Sequence, residues 1–235
     1  MSPGRAAPGN GMIDPVILYH STHLVVIDKP AGLPSHRGRG GGPSVEDWFP
    51  RWRRGADGPW LVHRLDADTA GCLAIARRKT TLVALQRAFA QRRVGKTYWA
   101  IVEGVPAAAH GTIELALARR TVPGGWRVAP DPRGDPAITD WRCLVAGQGR
   151  ALLELRPRTG RTHQLRVHCA ESGFPIVGDP LYGAEAGGMC LLARALALPL
   201  APPVAVTAAL PAHFRAAAAA SALDLAQLVE ERPAE

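Results

Sequence analysis

Short runs of apolar residues, separated by glycine and proline turns, dominate the hydrophobic pattern of this chain. Runs of this kind, rich in valine, isoleucine and leucine, are typical of β-strands. The predicted strands lie at 15–20, 23–29, 71–76, 98–103, 112–118, 126–129, 138–146, 151–156, 189–198 and 204–210. Between 112 and 156 the turns follow one another at the spacing of consecutive antiparallel strands.

A helical period of apolar residues is found in fewer places. Leu82, Leu85 and Phe89 share one face of a helix, while the arginines around them lie elsewhere. The predicted helices span 80–93, 162–171 and 212–231. Because strands outnumber helices, we expect an α+β fold with a mixed, largely antiparallel sheet and flanking helices.

The length of 235 residues suits one large domain with additions at its ends. Residues 1–14 are polar and rich in glycine and proline, and we expect a flexible leader there. The folded domain is expected at 15–211, followed by an alanine-rich helical extension at 212–235.

The chain carries a net charge of +8, and 25 of its 28 basic residues are arginines. The planar guanidinium group binds phosphate oxygens in pairs and stacks on bases, so this charge favours a polyanionic partner, nucleic acid first. A genome rich in arginine and alanine codons would explain arginine over lysine. It does not explain the excess of positive charge.

The four cysteines contain no closely spaced pair of the kind that holds structural zinc, so we expect reduced thiols in a cytoplasmic protein. The amino-terminal segment has no apolar core of a secretory signal, and no apolar run of about 18 residues predicts a membrane span. We expect no metal site and no contact with a membrane.

Asp66 lies in a polar turn between two apolar runs, which would hold its carboxylate on a rigid support. Arg64, two residues away, would point to the same side in an extended segment and stabilise the negative charge. Two alternatives are a surface turn with a charge pair, and a pair of carboxylates, Asp66 and Asp68, that hydrolyses a glycosidic bond.

Two further segments carry candidate chemistry. Tyr98 alternates with Trp99 on a predicted strand and could stack on a base, although a half-buried strand tyrosine is the plainer interpretation. Residues 156–168 form a basic loop that leads into a basic helix, with four arginines and two histidines. Helix amino termini bind phosphates, so this segment predicts contact with a nucleic-acid backbone.

Five segments together resemble the RluA-type pseudouridine synthases in order and spacing. They are DKPAGLP at 28–34, HRLDADTAG at 63–71, KTYWAIVEG at 96–104, TGRTHQLRVH at 159–168 and GDPLYG at 178–183. The resemblance extends over about residues 15 to 210 and makes 15–211 the catalytic domain. It implies the fold of that family, with the catalytic cleft across the middle of the sheet.

The resemblance also implies roles. Asp66 corresponds to the essential aspartate, Tyr98 to the tyrosine that stacks on the target uracil, and Arg166 to the arginine that pairs with the aspartate, with Arg161 as the alternative. Arg64 would occupy the space that the flipped nucleotide leaves. The residues expected to contact RNA are His63, Arg64, Arg158, Arg161 and His163.

The implied activity is the isomerisation of specific uridines in ribosomal or transfer RNA, without metal or organic cofactor; we expect a monomer. A basic module that binds RNA without catalysis is the remaining alternative. The sequence departs from the family at Ala70, where serine is usual, and at Leu192, where a histidine on the RNA side is usual. The second change predicts altered substrate contacts.

Overall fold

The computed structural model describes residues 14–38, 41–54, 57–123, 125–184, 187–226 and 228. These residues form one sheet of eleven strands in the order β1-β2-β4-β10-β5-β9-β8-β6-β7, with β3 beside β4 and β11 beside β10. Only β4 and β10 pair in parallel; the other neighbours are antiparallel. The predicted mixed, largely antiparallel α+β fold is therefore confirmed.

The strands of the described residues follow the predicted order. They are β1 Val16–His20, β2 Leu24–Lys29, β3 Trp60–Leu61, β4 Ala70–Ala76, β5 Gly95–Glu103, β6 His110–Val122, β7 Gly125–Pro130, β8 Asp135–Ala146, β9 Arg150–Pro157, β10 Leu191–Leu198 and β11 Val204–Thr207. Strands β6, β7 and β8 are longer than predicted, and β6 and β7 form a hairpin next to the cleft described below.

The helices are short. They are α1 Phe49–Trp52, α2 Lys79–Ala90, α3 Gln164–Glu171 and α4 Ala212–Ala220. A 3-10 turn at Val45–Trp48 leads into α1, and neither was predicted from the sequence. The helix predicted at 212–231 is interrupted: α4 ends at Ala220, Ala222 takes a left-handed backbone conformation, and helical backbone returns at Ala226 and Leu228. The predicted leader at 1–14 lies outside the described residues, apart from Asp14.

The central strands bury both of their faces. In β2, Leu24 and Val26 pack in the core beneath α2 and α4, whereas Val25 and Ile27 pack on the opposite face with Trp48. Strands of this kind are apolar throughout rather than alternating. The face opposite α2 and α4 has one cluster near α1 and another near α3. The cleft lies between them.

Gly71 marks the point where β4 meets β10 in parallel. Its φ is +111°, a region that side chains rarely adopt, and a Cβ atom there would lie 2.8 Å from the carbonyl carbon of Ala193. We expect Gly71→Ala to lower the free energy of unfolding by roughly 3 kcal/mol, from strain and overlap with a fixed backbone. Denaturant unfolding measures this. Gly160→Ala is the control, because a Cβ atom added there would have no other atom within 4 Å. It should change the free energy of unfolding little.

Candidate active site

A cleft of about 1160 Å³ opens beside Tyr98 and Leu191, between the clusters near α1 and α3, and extends to Phe89 at the end of α2. Its walls include residues 34–36, 38 and 41, the segment 63–69, the β6–β7 hairpin, and the loop that leads into α3. Lys96 and Tyr98 line it from β5. The three segments singled out from the sequence thus meet in one cavity, although they are far apart along the chain.

Asp66 occupies a turn between β3 and β4 that is closed by a hydrogen bond from Thr69 N–H to Asp66 O, at 3.2 Å. Its side chain is 31% exposed and faces two nitrogen groups: Arg166 Nη1 lies 3.4 Å from Oδ2, and His163 Nε2 lies 3.8 Å from the same oxygen. The guanidinium beside this carboxylate therefore belongs to Arg166. Among the described residues, Arg64 makes no ion pair with it.

Arg166 is buried, and a second carboxylate fixes it. Its Nε and Nη2 atoms each donate to Asp179 at 2.7 Å, in the two-pronged geometry that arginine favours. Burial tends to raise the pKa of Asp179. Hydrogen bonds and charge from Arg166, with the N–H groups of Leu181 and Tyr182, outweigh burial and hold this pKa below its ordinary value. Asp179 orients the arginine, and Arg166 Nη1 remains directed at Asp66.

Tyr98 lies on β5 between the two clusters of the cleft face and packs against both. Burial raises the pKa of its hydroxyl far above the ordinary value, and the charge of Asp66 raises it further. The phenol therefore stays protonated at neutral pH. Its neighbour Trp99 packs into the opposite core, as the alternation along the strand predicted.

The loop of Asp66 is supported from beneath by buried polar groups. Lys29 is fully buried and its Nζ donates to the carbonyl oxygens of Pro30, Leu33 and Ala67, at 2.7 to 2.8 Å. Ser35 Oγ donates to Leu65 O and accepts from Leu65 N–H. Burial lowers the pKa of Lys29 to about 8, against the charges of Asp68, Asp66 and Asp28.

We expect Lys29→Met to lower the free energy of unfolding by about 2–3 kcal/mol, because three buried carbonyl groups lose their donor. Turnover should fall as well, since Ala67 is adjacent to Asp66 in the supported loop. Denaturant unfolding and product assays check the two effects. The control is Lys79→Met, at the exposed start of α2, which should leave both unchanged.

His163 precedes α3 and has a left-handed backbone, with φ of 52°. Its ring stacks on Trp126 of the β6–β7 hairpin, with centroids 5.1 Å apart, and its Nδ1 lies 2.9 Å from the hydroxyl of Tyr182. Burial lowers its pKa, against the charge of Asp66. This histidine is therefore part of the Asp66 environment and is not confined to the surface of the cleft.

His63 and Arg64 both line the cleft but in different ways. The Nε2 atom of His63 accepts a hydrogen bond from Ala74 N–H, and its ring stacks on Phe89. Burial, with the charge of Lys96, lowers the pKa of His63 to about 4. Arg64 is exposed, and its Nη1 lies 3.4 Å from His36 Nε2. Of the two, only Arg64 presents an exposed charge to the cleft.

The two arginines of the basic loop are separated by the fold. Arg161 lines the cleft and lies 3.7 Å from Asp135, so Arg166 is the arginine that reaches Asp66. Arg158 pairs with Asp140 at 2.6 Å on the sheet and is not among the residues that line the cleft. Contact between Arg158 and RNA would thus occur outside the cleft.

Sequence reasoning gave no role to several side chains that the structure brings to the site. Asp179 and Tyr182 belong to the segment at 178–183, which carries the family resemblance but no predicted role. Lys96 donates to Thr159 O at 3.0 Å, and Trp126 and Arg119 enter the cleft from the hairpin, with the guanidinium 4.2 Å from the ring centroid. No local pattern identifies a hairpin that folds over a distant turn.

The structure places Leu192 away from the cleft. Its side chain is fully buried in the core beneath α2 and α4, next to Trp99, while Leu191 lines the cleft. Alternation along β10 sends the two side chains to opposite faces of the sheet. A leucine at position 192 therefore changes the core and not the RNA side.

Within the described ranges, no three histidine, cysteine, aspartate or glutamate side chains come together as ligands for a metal ion. The same ranges contain no helix with the length and hydropathy of a membrane span. The cysteines carry free thiols; three are buried and Cys143 is partly exposed.

The fold and the site define an enzyme with one aspartate held by a buried arginine in a basic cleft. The family profile described as RNA pseudouridylate synthase matches residues 23–171. The chain belongs to this family, and the predicted relationship to the RluA-type enzymes is confirmed.

Similar proteins come from bacteria and from human. An uncharacterized RNA pseudouridine synthase of Zymomonas mobilis is 46% identical over 178 residues, which are 72% of this chain and 78% of that protein. Ribosomal large subunit pseudouridine synthase D of Borreliella burgdorferi is 35% identical over 74% of this chain, and the chain spans 56% of its length. The structure of Human RNA Pseudouridylate Synthase Domain Containing 4 covers 87% of this chain and 92% of its own at 29% identity, with a TM-score of 0.74.

Proposed function

We propose that this protein isomerises specific uridines in structured RNA, ribosomal or transfer, to pseudouridine, with Asp66 as the catalytic carboxylate. The observation that carries the proposal is the placement of Asp66 Oδ2 at 3.4 Å from buried Arg166, in a cleft that Tyr98 also lines. Family membership supports the reaction class.

The reaction needs the nucleotide outside its stack, since a stacked uridine is out of reach. Tyr98 offers a face on which the everted uracil stacks, and Arg64 occupies the space that it leaves. The C1′–N1 bond breaks, the uracil turns, and C5 bonds to C1′. The hydrogen on C5 departs as a proton and N1 gains one, so atoms and charges balance without a cofactor.

Asp66 can act by three routes: it can attack the sugar, attack the base, or remove a 2′ proton. Each route uses the carboxylate as an anion, and Arg166 stabilises that charge. The low-dielectric surroundings of Arg166 strengthen the interaction relative to water. The neutral phenol of Tyr98 adds no second negative charge to the cleft.

RNA binding draws on the positive charge of the cleft walls. Arg64 and Arg119 line the cleft without a carboxylate within ion-pair distance among the described residues, and their charge is available to phosphates. Arg161 is partly neutralised by Asp135, and Arg158 by Asp140. We infer a monomeric cytoplasmic enzyme whose RNA lies across the cleft from Arg64 to Arg119.

The decisive experiment incubates the purified protein with bacterial ribosomal and transfer RNA transcripts that carry tritium at C5 of uridine. Isomerisation releases the tritium to water, and nucleoside digestion with mass spectrometry then detects pseudouridine. Release of free uracil with loss of the base would show a glycosidic hydrolase instead. Binding without either product would show a module that only binds RNA.

Asp68→Asn separates the isomerase from the hydrolase in one variant. A pair of carboxylates would need both members, so loss of turnover in Asp68→Asn would favour hydrolysis. We expect this variant to keep turnover within about threefold, because Arg166 and His163 both approach the carboxylate of Asp66.

A further inference from the structure

The surroundings of His163 define which of its nitrogens carries the proton. The hydroxyl oxygen of Tyr182 accepts a hydrogen bond from Val128 N–H at 2.9 Å. Its own hydrogen has one acceptor within reach among the described residues, the Nδ1 atom of His163 at 2.9 Å. With Tyr182 as the donor to Nδ1, the neutral ring carries its hydrogen on Nε2.

The Nε2–H group that results from this tautomer faces Asp66. It lies 3.8 Å from Oδ2, the same oxygen that Arg166 Nη1 approaches at 3.4 Å. The opposite tautomer would direct a nitrogen lone pair at the carboxylate, which is repulsive. A movement of about 1 Å on RNA binding converts this approach into a hydrogen bond.

The backbone conformation of His163 indicates that the surrounding contacts fix the position of its ring. A residue other than glycine with φ of 52° is strained, and such strain persists where the surroundings determine the conformation. Here three contacts hold the ring: the stack on Trp126, the edge of Tyr182 and the hydrogen bond from its hydroxyl.

We propose that His163 is a positioning residue for Asp66, which Tyr182 locks in the Nε2–H tautomer, rather than a contact for the RNA backbone. His163 and Arg166 together hold Oδ2 and leave Oδ1 as the oxygen presented to the everted nucleotide. The proposal rests on the proposed function and deepens it, because it assigns the two carboxylate oxygens different tasks.

The first test compares three variants by single-turnover rate and by RNA affinity. His163→Phe keeps a ring for the stack on Trp126 but removes both nitrogens, and we expect the rate to fall about 30-fold with affinity within twofold. His163→Gln keeps an N–H donor and should restore the rate to within about threefold of wild type. Tyr182→Phe keeps the ring that contacts Arg166 and should lower the rate about fivefold.

The second test is a double-mutant cycle, because Tyr182 acts through His163 in this proposal. Adding Tyr182→Phe to His163→Phe should change the rate less than twofold. A further fivefold loss in that background would show that Tyr182 only anchors the hairpin, and would overturn the proposal. So would a His163→Phe variant whose loss is entirely in RNA affinity, or a His163→Gln variant as slow as His163→Phe.

Two controls keep the tests separate from folding and from the proposed function. Tyr19→Phe, on β1 and away from the cleft, and His110→Gln, at the exposed start of β6, should leave rate and affinity unchanged. Wild-type protein that makes no pseudouridine would contradict the proposed function itself. Wild-type activity with an unchanged Tyr182→Phe rate would contradict only the role of His163.

Discussion

Asp66→Asn should abolish pseudouridine formation, with a fall in the single-turnover rate of roughly 10⁴-fold. The amide has nearly the shape of the carboxylate but no negative charge, so it can neither trap the sugar or base nor accept a proton. RNA affinity should stay within a few-fold of wild type, because the walls of the cleft keep their arginines. Tritium release from C5-labelled RNA measures the rate, and filter binding measures affinity.

Asp68→Asn is the matched comparison, since the two carboxylates lie two residues apart and both line the cleft. If Asp66→Asn retained more than a tenth of the wild-type rate, its carboxylate would not be catalytic. A large loss of affinity in Asp66→Asn would instead assign this residue to RNA binding.

Asp179→Asn should lower the free energy of unfolding by about 3–5 kcal/mol, because it leaves the buried guanidinium of Arg166 without its paired charge. For a chain of this size the melting temperature should fall by roughly 6–20 °C. Turnover should fall too, since Arg166 loses the two hydrogen bonds that direct Nη1 at Asp66. Denaturant unfolding and the single-turnover assay check these results.

The exposed pair of Arg158 and Asp140 is the control for this prediction. Asp140→Asn removes a carboxylate from a pair that also has short hydrogen bonds. Because solvent screens this exposed pair, the free energy of unfolding should fall far less than in Asp179→Asn. Equal losses in the two variants would mean that burial does not determine the strength of the Arg166 pair.

The free energy of unfolding of the wild-type protein should depend on pH through Asp179. Because the folded-state pKa of Asp179 lies below its ordinary value, its stabilisation is fully present above about pH 4. It is lost as the pH falls from there through the folded-state pKa. Unfolding measured from pH 6 to pH 3 should therefore show a steeper loss for wild type than for Asp179→Asn.

The positions of the strands along the chain and the fold class could be predicted from sequence, because each strand is a separate apolar run between turns; the order of the strands within the sheet could not. The ends of the helices were less predictable: α4 stops at Ala220, although the alanine-rich composition would have allowed a longer helix. The 3-10 turn and α1 were not predicted, because the eight residues 45–52, which include Pro50, are too few to show a helical period of apolar residues.

The chemistry of the site was predictable only in part. Asp66, Tyr98 and Arg166 were predicted as catalytic from their motifs, but the motif left Arg161 as an alternative partner for the carboxylate. The choice depends on distances across 100 residues of chain, and the structure places Arg166 at Asp66 and Arg161 at Asp135. Which face of β10 meets the cleft was equally undetermined, because Leu191 and Leu192 have the same side chain.

The sequence by itself determined the strand pattern, the excess of positive charge and the family motifs, because these depend on residue types and on short spacings. The tertiary structure alone decided the partners of the buried groups: Asp179 on Arg166, Lys29 beneath the loop of Asp66, and Tyr182 on His163. Each of these contacts joins segments that become neighbours only when the sheet forms. Burial, which sets their strength and protonation, is a property of the folded chain.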